Sequence, residues 1–165
     1  MAKIFSFPNP VNETSARIVA GGAVLMGIVF AVTGNGWILV PLTYGFIARV
    51  LAGPTFSPLG RLATQVITPK LSLEHRFVPG PPKRFAQGVG AAFTITASVL
   101  YIAGADGASQ LVIAALVVAA FLESAFAVCL GCIAFGYLMK FGLIPQEVCE
   151  ECNNFTPRSL QTSSL

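Results

Sequence analysis

Four long apolar stretches constrain the fold of this chain more than any other feature. They occupy residues 18–34, 36–53, 88–105 and 110–131. A helix rises about 1.5 Å per residue, so about 20 residues cross the roughly 30 Å hydrocarbon layer of a membrane. Lipid offers no partner to a free backbone amide, and these stretches lack the alternating pattern of barrel strands. The sequence therefore predicts an all-α integral membrane protein, a four-helix bundle.

The composition agrees with a membrane protein. The chain is 55% hydrophobic and only 10% charged, with a mean hydropathy of +0.75, whereas about a quarter of the residues in soluble domains are charged. We expect one membrane domain over residues 1–152 and a polar, flexible tail over residues 153–165. The last apolar stretch continues beyond residue 131, which predicts a helical extension to about residue 142.

A basic loop sets the expected topology. Residues 54–87 contain five basic side chains and one acidic side chain: Arg61, Lys70, Arg76, Lys83, Arg84 and Glu74. By the positive-inside rule this loop faces the cytoplasm, as do both chain ends, because two spans precede the loop and two follow it. We therefore expect a multi-pass protein of the bacterial plasma membrane, with a basic cytoplasmic loop and a short cytoplasmic C-terminal tail. The expected contacts of the loop are membrane lipids, and no nucleic-acid partner is expected.

Lys83, Arg84 and Gln87 precede the predicted start of the third span at residue 88. One interpretation is contact with anionic lipid, since basic residues near a membrane surface gain about 1 kcal/mol each from acidic headgroups. The other is an anion site, because a helix N-terminus offers free N–H groups to a sulfate-like or phosphate-like ligand.

Two charged residues fall within the predicted spans. Arg49 lies in the second span and Glu123 in the fourth, at matching depths. A charge inside the membrane is costly and usually faces a partner within the bundle. The sequence therefore predicts an ion pair between Arg49 and Glu123, which acts either as a link between helices or as part of a proton or ion relay.

The four cysteines form two Cys-x-x-Cys pairs, Cys129 with Cys132 and Cys149 with Cys152. Both pairs are expected on the cytoplasmic side, where thiols are kept reduced, so we expect no standing structural disulfide. Thiols one helical turn apart can form a strained, reducible link that suits dithiol exchange or sulfur relay. Two features count against this interpretation. Cys129 is predicted in mid-helix, without the helix N-terminus that lowers a thiol pKa, and on a face roughly opposite to Glu123.

The spacing C-x2-C-x16-C-x2-C also fits a four-thiolate zinc site made by Cys129, Cys132, Cys149 and Cys152. Zinc would deprotonate the thiols outright. A third interpretation, inert apolar packing, suits the first pair better than the second. These alternatives stay open, so the expected cofactor is either none or zinc.

Five motifs together resemble a family of small bacterial integral membrane proteins known only as a domain of unknown function. They are "FPNPVNE", "FSPLGRLA", "PGPPKRFAQG", "CLGC" and "VCEEC". The resemblance implies a thiol or sulfur context by association, with a thioredoxin-like or sulfurtransferase partner. We therefore expect a thiol-based redox or sulfur-relay membrane component. The alternative is a non-enzymatic accessory subunit of a larger membrane complex with a four-cysteine zinc site. Whether the chain is an enzyme is left open.

Overall fold

The computed structural model describes residues 9–70 and 77–145. Cys149, Cys152, the tail over residues 153–165 and part of the basic loop lie outside the described residues. Four helical stretches are long and apolar enough to cross a membrane: Glu13–Thr33, Gly36–Lys70, Gly80–Ile102 and Asp106–Phe126. The predicted all-α membrane fold with four apolar helices is therefore confirmed.

Helix α1 (Glu13–Thr33) has well-defined ends. Asn12 caps its N-terminus by accepting a hydrogen bond from the N–H of Thr14 at 3.0 Å. Gly34 ends it at φ 64°, a conformation that glycine adopts without strain, and donates its N–H to the Phe30 carbonyl. After a 3₁₀ turn over Gly36–Ile38, helix α2 (Leu39–Ala52) returns through the membrane region.

The helical stretch Gly36–Lys70 is not one straight helix, because the chain turns after α2. A 3₁₀ turn occupies Gly53–Thr55. Three short helical pieces then follow in sequence, α3 (Pro58–Arg61), a π-helical turn (Leu62–Ile67) and α4 (Thr68–Lys70). This segment packs against α1, where the Ser15 and Thr68 hydroxyls are 2.8 Å apart.

Helix α5 (Gly80–Ile102) begins earlier than the residue 88 expected from hydropathy. Helix α6 (Asp106–Phe126) follows after a tight turn, and a shorter helix, α7 (Leu130–Lys140), completes the described chain. Two short strands, β1 (Val11–Asn12) and β2 (Phe77–Val78), pair antiparallel ahead of α1 and α5. The pairing joins the two segments that lead into the bundle.

The bundle is held by three main helix contacts, α1 with α6, α2 with α5, and α5 with α6. Its apolar core includes the fully buried side chains Phe30, Leu42, Ala97 and Ile113. Two ends of the bundle can be distinguished. The charged end comprises the first turns of α1 and α5, the last turns of α2 and α6, and α7. The apolar end contains the turns over residues 34–38 and 103–105.

Candidate functional site at the charged end

A break separates α6 from α7 at the point where the sequence predicted continuous helix. Ala127 adopts a left-handed conformation at φ 58°, and its N–H bonds to the Glu123 carbonyl at 3.1 Å. This arrangement ends a helix and redirects the chain. Helix resumes at Leu130 and reaches Lys140, close to the predicted end of the extension at about residue 142, but it forms a separate helix, α7, and not a continuation of α6.

The break places Cys129 at the N-cap of α7. Its backbone is extended, and its Sγ accepts the N–H of Cys132 at 3.3 Å. Cys132 lies in the first turn of the same helix, and both cysteines are free thiols. The mid-helix position predicted for Cys129 is therefore wrong. At an N-cap the helix dipole and the free N–H groups favour a thiolate.

The local hydrogen bonds shift the pKa values of the two thiols in opposite directions. The hydrogen bond from the Cys132 thiol lowers the pKa of Cys129, more than its burial and Glu123 raise it, and the Lys83 ammonium adds to the lowering. The same hydrogen bond raises the pKa of Cys132, and burial raises it further. The pair thus has one thiol suited to act as a nucleophile and one that holds its proton.

Close packing fixes α7 against the first turns of α5. A Cβ atom added at Gly131 would lie 2.6 Å from the Cα of Ala86, so only glycine permits this approach. The rings of Phe85 and Phe135 are tilted against each other with centroids 5.6 Å apart. The Cys129–Cys132 pair is therefore held next to the N-terminal turns of α5.

Glu123 forms its ion pair with Lys83, and Lys83 Nζ lies 2.5 Å from Glu123 Oε1. The sequence predicted Arg49 as the partner, and the structure corrects this. The reason is the early start of α5, which carries Lys83 into the first turn of the helix and onto its inner face. Lys83 also lines a cavity with Cys129 and Cys132, so the ion pair and the thiols are neighbours.

Arg49 is 5% exposed and is held by neutral groups. Its Nε donates to Gln87 Oε1 at 2.9 Å, and its Nη1 donates to Ser57 Oγ at 3.1 Å. The guanidinium also lies over the Phe46 ring at 4.5 Å from the centroid. The structure thus brings together Arg49 and Gln87, which the sequence assigned to two different sites.

Lys83 and Gln87 line one cavity that Arg84 does not line, so the three residues do not form one shared site at the start of α5. Lys83 and Gln87 face inwards as described, while Arg84 is exposed and donates to the Val50 carbonyl at 2.9 Å. Arg17 similarly donates to the Ser124 carbonyl at 2.9 Å. The guanidinium groups of Arg84 and Arg17 therefore lie against the C-terminal turns of α2 and α6, where the helix dipole favours a cation.

A cavity of about 290 Å³ lies between α1, α2, α5, α6 and α7. Its polar lining includes Arg49, Gln87, Glu123 and Cys129, and the rest is apolar. Glu123 and Cys129 were expected on opposite faces of one helix. They line the same cavity because the chain turns at Ala127. The cavity is thus the space into which a thiol, a carboxylate and a guanidinium converge.

The described residues do not test the four-cysteine zinc site. Within residues 9–70 and 77–145, no group of three or more His, Cys, Asp or Glu side chains is placed to hold a metal ion. Cys129 and Cys132 supply two thiols, and the other two ligands of the predicted set, Cys149 and Cys152, lie outside the described residues.

Comparison with known proteins identifies the family. The family model for a domain of unknown function, DUF4395, matches residues 11–140. The chain belongs to this family. The match covers all four apolar helices and the Cys129–Cys132 pair, and it ends before Cys149. No curated protein and no solved structure matches the chain. The described geometry therefore carries the functional argument.

Proposed function

We propose that the protein is a membrane dithiol–disulfide exchange component in which Cys129 is the nucleophile and Cys132 the resolving thiol. The observation that carries the proposal is the position of Cys129 at the N-cap of α7 with Cys132 in the first turn. Thiols at helix N-termini and beside cations are those that exchange readily. Lys83 supplies the nearby cation.

The proposed exchange transfers two electrons from the cysteine pair to the disulfide of the partner. The Cys129 thiolate attacks a disulfide of a partner, which gives a mixed disulfide and one partner thiolate. Cys132 then loses its proton and attacks the Sγ of Cys129. The products are the Cys129–Cys132 disulfide and a second partner thiolate, and the partner's two thiolates take up the protons lost by Cys129 and Cys132. The reverse sequence reduces the pair.

The proposed partner is a thioredoxin-like or sulfurtransferase protein, which carries an exposed disulfide or persulfide of the required kind. Cys149 and Cys152 would act as the second pair of the relay. Their thiols would reduce the Cys129–Cys132 disulfide by exchange and become a disulfide themselves, or a persulfide on one of them would pass its outer sulfur to the Cys129 thiolate and leave a thiolate behind. We propose a bacterial plasma membrane location with both chain ends in the cytoplasm. The basic residues between α2 and α5 support this orientation.

Redox titration of the purified full chain tests the proposal. We expect one reversible disulfide between Cys129 and Cys132 across a glutathione series, measured by thiol labelling and peptide mass spectrometry. In the Cys149→Ser/Cys152→Ser background, Cys132→Ser should trap a mixed disulfide with a thioredoxin-like protein, because no resolving thiol remains. Cys129→Ser should trap none. The double variant Cys149→Ser/Cys152→Ser is the matched control and should still form the Cys129–Cys132 disulfide.

The same preparation tests the alternative role, an accessory subunit with a four-thiolate zinc site. Stoichiometric zinc, with thiols that resist oxidant until a chelator is added, would refute the exchange function and support the zinc role. Metal-free protein that cycles reversibly would refute the zinc site. Labelling of Cys149 in intact cells tests the orientation, since a cytoplasmic thiol is protected from an impermeant reagent.

A further inference from the structure

A further cavity, here called the cationic chamber, is lined by Arg49 but by neither Cys129 nor Cys132. Its volume is about 250 Å³, and it lies between the first turn of α1, the end of α2 and the first turns of α5. Its polar lining residues are Asn12, Ser15, Arg49, Thr64, Lys83 and Gln87. Among the described residues that line it, two are cations and none is acidic.

The charges around the chamber do not balance. Arg49 and Lys83 are each 5% exposed. The one carboxylate that reaches them within the described residues is Glu123, which is held by Lys83. Arg49 is left with hydrogen bonds to neutral Gln87 and Ser57. While Cys129 is protonated, the cluster of Arg49, Lys83 and Glu123 therefore carries one excess positive charge inside the bundle.

A buried excess charge is expensive. An ion transferred out of water loses several kcal/mol of solvation even after relaxation, and inside membranes such charges are almost always compensated. Gln87 adds a further hydrogen-bond donor. Its Oε1 accepts from Arg49, so its amide N–H groups remain free to donate to a ligand. The chamber thus offers a guanidinium, an ammonium and an amide to a compact group that accepts hydrogen bonds.

We infer that the cationic chamber binds a small oxyanion of the sulfate or phosphate type. Oxyanions accept charge-assisted hydrogen bonds from guanidinium and ammonium groups, which are about twice as strong as neutral ones. The same chemistry is available from a free inorganic anion and from the phosphate head of a lipid. The chamber and the cavity of about 290 Å³ that contains Cys129 share Val19, Arg49 and Gln87 as lining residues. The inference stands on charge and cavity alone and does not depend on dithiol exchange.

Gln87→Glu is the decisive variant, because it would supply the missing negative charge from within the protein. The new carboxylate would lie where Gln87 Oε1 now accepts from Arg49. We expect the purified full-length variant to unfold at a higher temperature than the natural protein in anion-free buffer. We also expect it to lose the stabilisation that sulfate or phosphate gives the natural protein, since a ligand stabilises only the state that binds it.

The matched variants separate this effect from misfolding and from general salt effects. Arg49→Gln should weaken the apparent sulfate affinity by about tenfold or more, because a charged hydrogen-bond donor is lost. Arg84→Gln removes the same charge at an exposed position on α5 and should keep the full response. A bulky anion at equal ionic strength should give no stabilisation.

Two further measurements identify the source of the anion. Phosphate analysis of organic extracts from purified protein, together with competition by glycerol phosphate, would reveal a bound lipid headgroup, and the extracted phosphate should fall in Gln87→Glu. An extract without phosphate, combined with sulfate-dependent stabilisation, would assign a free inorganic anion. The inference is overturned if neither anion stabilises the natural protein and no lipid phosphate is bound, or if Gln87→Glu responds as the natural protein does.

Discussion

The two ends of the bundle differ in the kind of side chain that they bury. At the apolar end, Phe30, Leu42 and Ile113 are fully buried, and the Phe30 and Tyr101 rings meet edge to face at 6.1 Å. At the charged end, Arg49 and Lys83 are buried among polar groups and two cavities. Apolar packing in lipid needs no polar groups, whereas buried charges are costly. The difference supports our proposal that the charged end carries the function of the protein, while the apolar end stabilises the bundle.

Glu123→Leu should have the largest effect, because it leaves Lys83 buried without its carboxylate. Removing one partner of a buried ion pair destabilises proteins by about 3–5 kcal/mol. Thermal unfolding in detergent measures the loss. The double variant Lys83→Met/Glu123→Leu removes both charges and should recover most of it. A double variant as unstable as Glu123→Leu would show that the ion pair is not the cause.

Leu42→Ala should destabilise the apolar end without changing the reactivity of Cys129. Core truncations of this kind cost about 2–5 kcal/mol in soluble proteins, and we expect about 2 kcal/mol here because lipid already solvates apolar groups. Thermal unfolding gives the change, and the alkylation rate of Cys129 should stay the same. Val40→Ala, on the exposed surface of α2, is the control. A changed alkylation rate would contradict the separation of the two ends.

Cys132→Ala should slow the reaction of Cys129 at neutral pH. The Cys132 thiol lowers the pKa of Cys129 by donating a hydrogen bond, so its loss raises that pKa. A smaller fraction of Cys129 is then thiolate at a given pH. The pH profile of alkylation should shift upwards, and the rate at pH below the midpoint should fall about fivefold, the equivalent of one hydrogen bond.

Cys132→Ser is the control for this profile, because a hydroxyl still donates to the Cys129 sulfur. The Cys132→Ser profile should lie closer to that of the natural protein than the Cys132→Ala profile does. Equal shifts in both variants would assign the reactivity of Cys129 to burial or to the helix N-terminus alone.

Arg84→Gln should have the smallest effect on the stability of the charged end. Arg84 is exposed and donates a hydrogen bond to the Val50 carbonyl in the last turn of α2. Such an interaction contributes about 0.5 kcal/mol and is weakened by salt. Thermal unfolding at low and high salt measures it. A loss of stability comparable to that of Glu123→Leu would mean that exposed basic residues stabilise the charged end. It would weaken the proposal that this end carries the function.

Hydropathy predicted the four apolar helices because length and apolar content alone decide whether a helix can cross lipid. It misplaced the start of α5, although "PGPPK" contains a usable signal, since proline favours the first helical positions. A helix begun at Gly80 carries Lys83 in its first turn. The depth of Arg49 and Glu123 was a weaker guide, because equal depth does not reveal which faces of two helices meet.

The break between α6 and α7 at Ala127 could not be predicted from the local sequence. No glycine or proline lies between Phe126 and Leu130, and a left-handed alanine is unfavourable by about 1 kcal/mol or more. Packing of Gly131 on Ala86 and of Phe135 on Phe85 accompanies this conformation. These tertiary contacts move Cys129 from mid-helix to a helix N-terminus. The thiol environment was therefore the part of the site that sequence reasoning could least predict.

Helix α7 has 11 residues and spans about 16 Å, roughly half the thickness of the hydrocarbon layer. Met139 near the end of α7 lines one cavity with Glu13 and Val78, so α7 stays at the end of the bundle where α1 begins. Soluble proteins fused before residue 9 and after residue 140 would consequently meet in one compartment. A split reporter divided between these two positions would therefore assemble on that one side of the membrane.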